Sequence, residues 1–416
     1  MISSFRLDNG LSVLVEEMSH VESASYDLIL PGGYLCDPED RVGAGLILAD
    51  LIGRGAGAYD SRGLSEAFDA LGIRHGEGIG TDRYGFSGSL VSDALPRALE
   101  LVSHMVRDPH LPESEIPNIQ SVLLQDIDSL SDNPARRAMV ELTKRYYPAP
   151  YNRPSLGEAE GIRSSTRKTV LDLYKSCFGP NNAILSIAGK VNVERVKSDV
   201  EQLFGAWRGG SAEIPAFGAA PKNEYFHIDY DSSQVQIVLA SPSVTFNSDG
   251  YYSGKIAVSL LGASMFGRLF VELREKRGLC YSVYARHGST MSYGTVTAYV
   301  GTTPERAQES LDVLVGEMEK LRGSVTIDEL DRAKTNLKAA LVMGEESPGS
   351  RAASNATDWW FLKRIRPLSE INAEIDKVTI ESVNDFLSVY PFRPASLLTL
   401  GKNELKVPTG LIEGGR

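Results

Sequence analysis

Apolar and polar positions follow a readable order along the first two hundred residues. The opening FRLDNGLSVLVEE sets two strand-like runs on either side of Asn9-Gly10, a pair that supplies the left-handed conformations of a tight hairpin. SASYDLILPGG predicts a third strand, closed by Gly32 and Gly33. A greasy run over roughly 42–52 predicts a helix, with Gly53 or Gly55 placed to end it. In SRGLSEAFDALG, Leu64, Phe68 and Leu71 fall on one helical face and Gly72 is the stop. RYGFSGSLV reads as another strand. SDALPRALELVSHMVRDP is an amphipathic helix ended by Asp108-Pro109, and PESEIPNIQSVLLQDIDSL opens the next helical region. RKTVLDLYKSCFG leads through Pro180-Asn181-Asn182 into the strand AILSIAGKV, and NVERVKSDVEQLFGAW adds a last helix. Strands in a run followed by helices predict an α+β domain, with helices on one face of a mainly antiparallel sheet.

Residues 209–224, GGSAEIPAFGAAPKNE, are rich in Gly, Ala and Pro and lack a helical period, which marks a linker. Beyond it the pattern returns. TRKTVLDLYKSCFGPNNAILSIAGK (166–190) is echoed by TIESVNDFLSVYPFRPASLLTLGK (379–402), and SDALPRALELVSHM (92–105) by PERAQESLDVLVGEM (304–318). A repeat of this period implies two copies of one plan. The expected organisation is a domain over 1–208, a linker over 209–224 and a second domain over 225–416.

Bulk properties narrow the class. A chain of 416 residues exceeds what one core usually serves. The net charge of -11 argues against a general nucleic-acid binder and against an anionic membrane surface. Cys36, Cys177 and Cys280 are widely spaced, odd in number and form no CxxC, which suits a reducing compartment. No signal-peptide pattern and no run of about 20 apolar residues stands out, so a cytoplasmic location is expected. GASMFGR and PGGY lack the Lys-Ser/Thr of a phosphate loop, no Gly-x-Ser-x-Gly elbow occurs, and DIDSLSDN lacks the glycine and closing glutamate of a calcium loop.

Several stretches together resemble the M16 peptidases, the insulinase and mitochondrial-processing-peptidase relatives. LDNGLSVLVEE is similar to the opening hairpin of that family, YNRPSLGEAEGIRSSTRKTVLDLYKSCFGPNNAILSIAGKV to its mid-domain signature, and GRLFVELREKRGLCYSVYA to its second-domain signature. The resemblance implies two homologous α+β domains, each an antiparallel-rich sheet with helices packed on one face. It further implies a clam-like chamber, closed by two chains or two halves. In active members a helix carries His-x-x-Glu-His, whose histidines project from one helix face to a zinc ion, and a glutamate about 75 residues downstream is the third ligand.

Here that motif falls on GAGLILADLIGRGAG. Its positions are taken by Leu46, Ala49 and Asp50, and the downstream ligand falls at Gln125-Asp126. Leucine cannot bind a metal, alanine cannot act as a base, and no nitrogen donor remains. His20, His75, His104, His110, His227 and His287 are scattered. No metal is expected in this chain.

The second half keeps the other part of the family's site. Met265 to Arg277 reads as a helix capped by Gly278, and LCYSVYA is the strand that follows. By themselves, an arginine near a helix end and a tyrosine in a strand are ordinary. The resemblance gives Arg274 and Tyr281 a role: hydrogen bonds to the substrate carbonyl and to the oxyanion that develops from it. Arg268, Arg277 and Tyr284 lie close enough in sequence to be confused with the pair. The chain is therefore expected to be a non-catalytic subunit, with Arg274 and Tyr281 acting in trans on an extended peptide beside a zinc-bearing homologue. The alternative is an inactive structural or peptide-binding homologue, as a homodimer or scaffold subunit.

Overall fold

The computed structural model describes residues 2–218, 221–393 and 395–412. Two sheets organise the chain. The first has six strands: β1 (Ile2–Arg6), β2 (Ser12–Glu17), β3 (Ser23–Pro31), β6 (Arg74–Ile79), β7 (Arg83–Val91) and β8 (Ile184–Gly189), in spatial order β1-β2-β8-β3-β7-β6. A two-stranded ribbon, β4 (Gly55–Ala56) and β5 (Tyr59–Asp60), stands apart. The second sheet has β9 (Tyr225–Asp229), β10 (Val235–Ser243), β11 (Cys280–Ser289), β12 (Gly294–Thr302) and β13 (Ser396–Gly401), in order β11-β12-β10-β13-β9. Each sheet holds one parallel pair, β2 with β8 and β9 with β13, among antiparallel neighbours.

The helices of the first half are α1 (Ala44–Leu51), α2 (Ser61–Asp69), α3 (Leu95–Arg107), α4 (Ile116–Asp128), α5 (Pro134–Tyr146), α6 (Ala159–Ser164), α7 (Arg167–Cys177) and α8 (Val193–Phe204). Those of the second half are α9 (Tyr251–Gly262), α10 (Ala307–Leu321), α11 (Ile327–Glu345), α12 (Pro348–Leu362), α13 (Leu368–Asp376) and α14 (Ile380–Val389). Apart from β4, β5 and α2, the order of elements from β2 to β8 returns from β9 to β13. The chemistry returns too: Thr166 caps α7 and Thr379 caps α14, each through a reciprocal box with the hydroxyl three residues on. The fold is the α+β duplication that the repeat implied.

Contacts group the chain differently from its two halves. One compact unit comprises Met1–Ser129, Arg153–Pro215 and Val342–Arg366. The other comprises Leu130–Asn152, Ala216–Leu341 and Pro367–Arg416. α5 thus packs on β10 and β13, and α12 on β3 and β8.

Strand alternation explains why both sheet faces need cover. In β10, Ile237 and Leu239 enter the main core of their unit, while Val238 and Ala240 face Ala138, Leu142 and Tyr146 of α5. In β3, Tyr26, Leu28 and Leu30 enter the first core. The opposite face includes Ser25, where Gly349 of α12 comes close, and Ala188 of β8 packs on Ala352.

Two local expectations change. The Asn9-Gly10 turn is a three-residue loop in which Leu7 accepts from Gly10 N–H and donates to Leu11, with Gly10 at φ 98°. The helix expected over 265–277 starts only at Arg268, because α9 runs to Gly262 and the chain bends through 263–267. Gly262 permits this bend: a Cβ there would meet the Ala285 nitrogen at 2.7 Å. The turn Phe270–Glu275 is π-helical, with Lys276 N–H donating five residues back to Val271. Of the expected linker 209–224, residues 219 and 220 lie outside the described residues, and the rest forms neither helix nor strand.

Candidate functional site

In the first unit, α1 is built as a buried rod. Ile47, Leu48, Leu51 and Ile52 are fully enclosed. Its N-terminus is held by Asp37, whose two carboxylate oxygens accept from Gly43 N–H at 2.6 Å and Gly45 N–H at 2.8 Å. Burial pushes the Asp37 carboxyl up to about 6, against the opposing pull of those two N–H groups and of Arg153. Arg153 secures the same loop by donating to the carbonyls of Tyr34, Leu35 and Asp37.

The positions onto which the family resemblance places the metal motif have no such chemistry here. Leu46 is half-buried and Ala49 is buried in the core. Asp50 is turned onto Arg54, one helical turn away, with Oδ1 accepting from Nε at 2.8 Å and from Nη2 at 2.7 Å. Asp126 is exposed on α4, the helix that packs against α1. An aliphatic side chain, a methyl group, a carboxylate already paired with a guanidinium and an exposed carboxylate do not fit zinc. Among the described residues, no group of three His, Cys, Asp or Glu side chains converges as a metal site.

Strand β6 lies alongside α1 and brings one pair that the sequence reading did not single out. His75 Nδ1 sits 3.6 Å from Glu77 Oε2, and the imidazole stacks on Phe68 with centroids 4.1 Å apart. The i, i+2 spacing of a strand was the available signal.

In the second unit the structure brings Arg274 and Tyr281 together. The π-helical turn ends in a left-handed Gly278 at φ 60°. Gly278 N–H donates to Arg274 C=O, and Leu279 N–H reaches back to Leu273 C=O. This reversal carries the chain straight into β11. As a result the Arg274 guanidinium carbon lies 5.0 Å from the Tyr281 ring centroid and 4.9 Å from that of Phe270. Tyr281 is 80% exposed.

The neighbours that could be mistaken for this pair are committed elsewhere. Arg268 makes a two-pronged ion pair with Glu329, at 2.8 and 2.9 Å, which holds that carboxyl down at about 2. Arg277 pairs with Glu272 at 2.5 Å. Tyr284 stacks on Tyr299 at 5.0 Å. Arg274 is exposed and has no ion pair among the described residues, which leaves its five N–H donors available. Next to it, burial raises the Cys280 thiol to about 11, while the Arg274 charge pulls it back.

Comparison with known proteins places this architecture. A family model described as insulinase (peptidase family M16) matches residues 12–157, and one described as peptidase M16 inactive domain matches residues 164–337. The chain belongs to the M16 peptidase family. It is 24% identical over 406 residues to an uncharacterized zinc protease of Rickettsia felis, covering 96% of this chain and 98% of that protein. An uncharacterized zinc protease of Bacillus subtilis is 25% identical over 390 residues, covering 92% and 94%. Among solved structures, an M16 inactive domain from Pseudomonas fluorescens superposes with a TM-score of 0.87 at 23% identity, covering 98% of this chain and 99% of that one. A protease from Helicobacter pylori gives a TM-score of 0.88 at 18% identity, covering 96% and 99%. Among the described residues, no helix is long and apolar enough to cross a membrane.

Proposed function

We propose that this chain is the non-catalytic subunit of a heterodimeric M16-type zinc metallopeptidase. In this reading it closes a peptide-binding chamber and supplies Arg274 and Tyr281 in trans. One observation carries it. Of the three arginines around the π-helical turn, Arg268 and Arg277 are tied to carboxylates, while Arg274 is held by two aromatic rings with its donors uncommitted. A guanidinium stacked on Phe270 and Tyr281 keeps its position without spending its N–H groups. It can then donate to a substrate carbonyl oxygen, with the Tyr281 hydroxyl as a second, neutral donor. Both bonds strengthen as negative charge develops on that oxygen.

The zinc belongs to the partner in this proposal. It would supply the activated water, and this chain would orient the carbonyl. An extended peptide suits the open sheet edges. Residues 74–78 of β6 are all exposed, and at Gly76 and Gly78 no atom lies within 4 Å of where a Cβ would be, which leaves room for a second backbone.

The test mixes the chain with the zinc-bearing homologue of the same organism. Peptidase activity is followed on a quenched peptide library, with zinc content measured in parallel. Activity above that of the homologue alone is expected. Arg274→Ala or Tyr281→Phe is expected to lower kcat of the mixture by about 100- to 1000-fold. Unchanged activity in both variants would remove the trans-site role. Tight self-association without stimulation would favour a homodimeric or scaffold protein.

A further inference from the structure

Two cysteines that lie far apart in the sequence meet in the first unit. β3 runs into Pro31-Gly32-Gly33, and a single 3₁₀ turn, Tyr34–Cys36, follows at once. Cys177 is the last residue of α7. The two segments cross at Gly32. The Cys36 thiol donates to the Gly32 carbonyl at 3.3 Å. A Cβ on Gly32 would lie 3.4 Å from the Cys177 Cβ and 2.8 Å from the Tyr84 ring. Glycine at this position lets the turn settle against the end of α7, and it brings the thiols of Cys36 and Cys177 within hydrogen-bond reach of each other.

The two sulfurs differ in access and in charge. Cys177 is 1% exposed and packs in the first core with Tyr84 and Phe178, whereas Cys36 is half-buried, so a small solute can reach it. The hydrogen bond to Cys177, together with burial, pushes the Cys36 thiol up, and the same bond holds the Cys177 thiol down. When the pair loses one proton, the charge therefore sits on Cys177 and the Cys36 S–H turns to that sulfur. Cys280, the third cysteine, belongs to the second unit and has no cysteine partner there. Asp37, next to Cys36, caps α1 through Gly43 and Gly45, and α1 packs on α7. A covalent link between Cys36 and Cys177 would thus fasten the cap of α1 to the end of α7.

We infer that Cys36 and Cys177 form a peroxide-sensitive dithiol, whose disulfide clasps the turn that caps α1 onto α7. The Cys36 sulfur attacks one oxygen of hydrogen peroxide while the Cys177 thiolate takes the Cys36 proton. The O–O bond breaks, Cys36 becomes a sulfenic acid, and the hydroxide released takes the proton from Cys177 and leaves as water. The Cys177 thiolate then attacks the Cys36 sulfur. The S–S bond forms, the S–O bond breaks, and the second hydroxide leaves as water with a proton from solvent. Two thiols are oxidised and one peroxide is reduced to two waters. In reducing compartments, disulfides are mostly of this transient, sensing kind. The site uses neither Arg274 nor Tyr281, and it goes beyond the trans-site reading.

The experiment uses this chain alone, without a zinc-bearing partner, so its outcome is separate from that of the trans-site proposal. The reduced chain is treated with a small molar excess of hydrogen peroxide, its free thiols are blocked with N-ethylmaleimide, and its peptides are read by mass spectrometry. The peptides carrying Cys36 and Cys177 should be recovered joined, with Cys280 blocked as a free thiol, and dithiothreitol should separate them. Urea unfolding followed by tryptophan fluorescence reports the first unit, which holds all three tryptophans. Its midpoint should rise by about 1–2 M on oxidation, because the link closes a long loop, and should return on reduction. Cys36→Ser should remove both the joined peptide and the shift, whereas Cys280→Ser should leave both. No joined peptide, a sulfinic acid at Cys36 in its place, a link through Cys280, or a midpoint unmoved by oxidation would overturn the proposal.

Discussion

Replacing Arg351 with methionine tests how α12 is fastened to the first sheet. The side chain is 7% exposed and its Nε donates to Glu16 Oε2 at 2.9 Å. Nη2 reaches Asn355 Oδ1 at 3.2 Å, Nη1 pairs with Glu345, and Asn355 Nδ2 donates to the same Glu16 oxygen at 2.7 Å. Removing the cation leaves the Glu16 carboxylate at a site 15% exposed, with the Asn355 amide as its remaining donor in the cluster. Breaking a buried pair from one side costs about 3–5 kcal/mol. The retained amide bond and partial solvation put Arg351→Met at the lower end, about 3 kcal/mol. At a urea dependence of about 2 kcal/mol per M, the midpoint falls by about 1.5 M. Glu16→Gln in the same chain neutralises the stranded charge, and the double variant should return to within about 1 kcal/mol of the parent. Tryptophan fluorescence isolates the effect, because Trp207, Trp359 and Trp360 are the three tryptophans of the chain and all fall in the first unit. A single-variant shift below about 0.5 M, or a double variant no better than the single, would refute this account.

Other outcomes follow from the same reasoning. Burial raises the Asp27 carboxyl from its ordinary 3.8 to about 6, against the pull of Arg83. The native state then holds more protons than the unfolded chain between those values, so this group's contribution declines as pH rises from about 4 to 6. Asp27→Asn should stabilise the first unit at pH 8 by about 1–3 kcal/mol and flatten its stability–pH profile over that window, read by urea titration at several pH values; a variant no more stable at pH 8 would contradict it. Gly278→Ala meets no neighbouring atom, so its cost is backbone strain at φ 60° alone. It should lower the thermal midpoint of the second unit, seen by tyrosine circular dichroism, by an amount corresponding to about 1 kcal/mol. Leu46→His with Asp50→His restores two imidazoles one helical turn apart, yet zinc measured by mass spectrometry should stay below one equivalent, because Asp126 is exposed on its own helix and a third ligand is missing.

Much of this architecture could be read from local pattern. Strands β1, β2, β3, β7 and β8 and helices α1, α2, α3, α4, α7 and α8 fall where alternation and the 3.6-residue period put them, while β4, β5, β6, α5 and α6 carried no such signal. The echo of 166–190 in 379–402 gave the duplication away before any sheet was known. The absence of nitrogen donors at Leu46, Ala49 and Asp50 is a fact of composition and needed no coordinates. What stayed hidden depends on partners distant in sequence. The stripe of Ala138, Leu142 and Tyr146 announces a buried helix face, but a period names a face and not the sheet that covers it. The break at 263–267 was hidden for a similar reason: Gly262 matters through its approach to Ala285 on β11, and that contact is invisible to periodicity. The distinction between Arg274 and its neighbours Arg268 and Arg277 was likewise unreadable, since it rests on where Glu329 and Glu272 lie in space.

The exchange of α5 and α12 carries a consequence for synthesis. A ribosome delivers the first sheet complete by about residue 189, yet the helix that covers its second face ends at Leu362. For more than 170 residues of elongation, the nascent first sheet must wait with that face open to chaperones or solvent. α5 is made early and waits in turn for β10 and β13. Neither half is a self-sufficient product. A gene split at the linker should yield fragments that are poorly soluble apart and recover when co-expressed, and a stop codon anywhere before α12 should be nearly as damaging as one before β8.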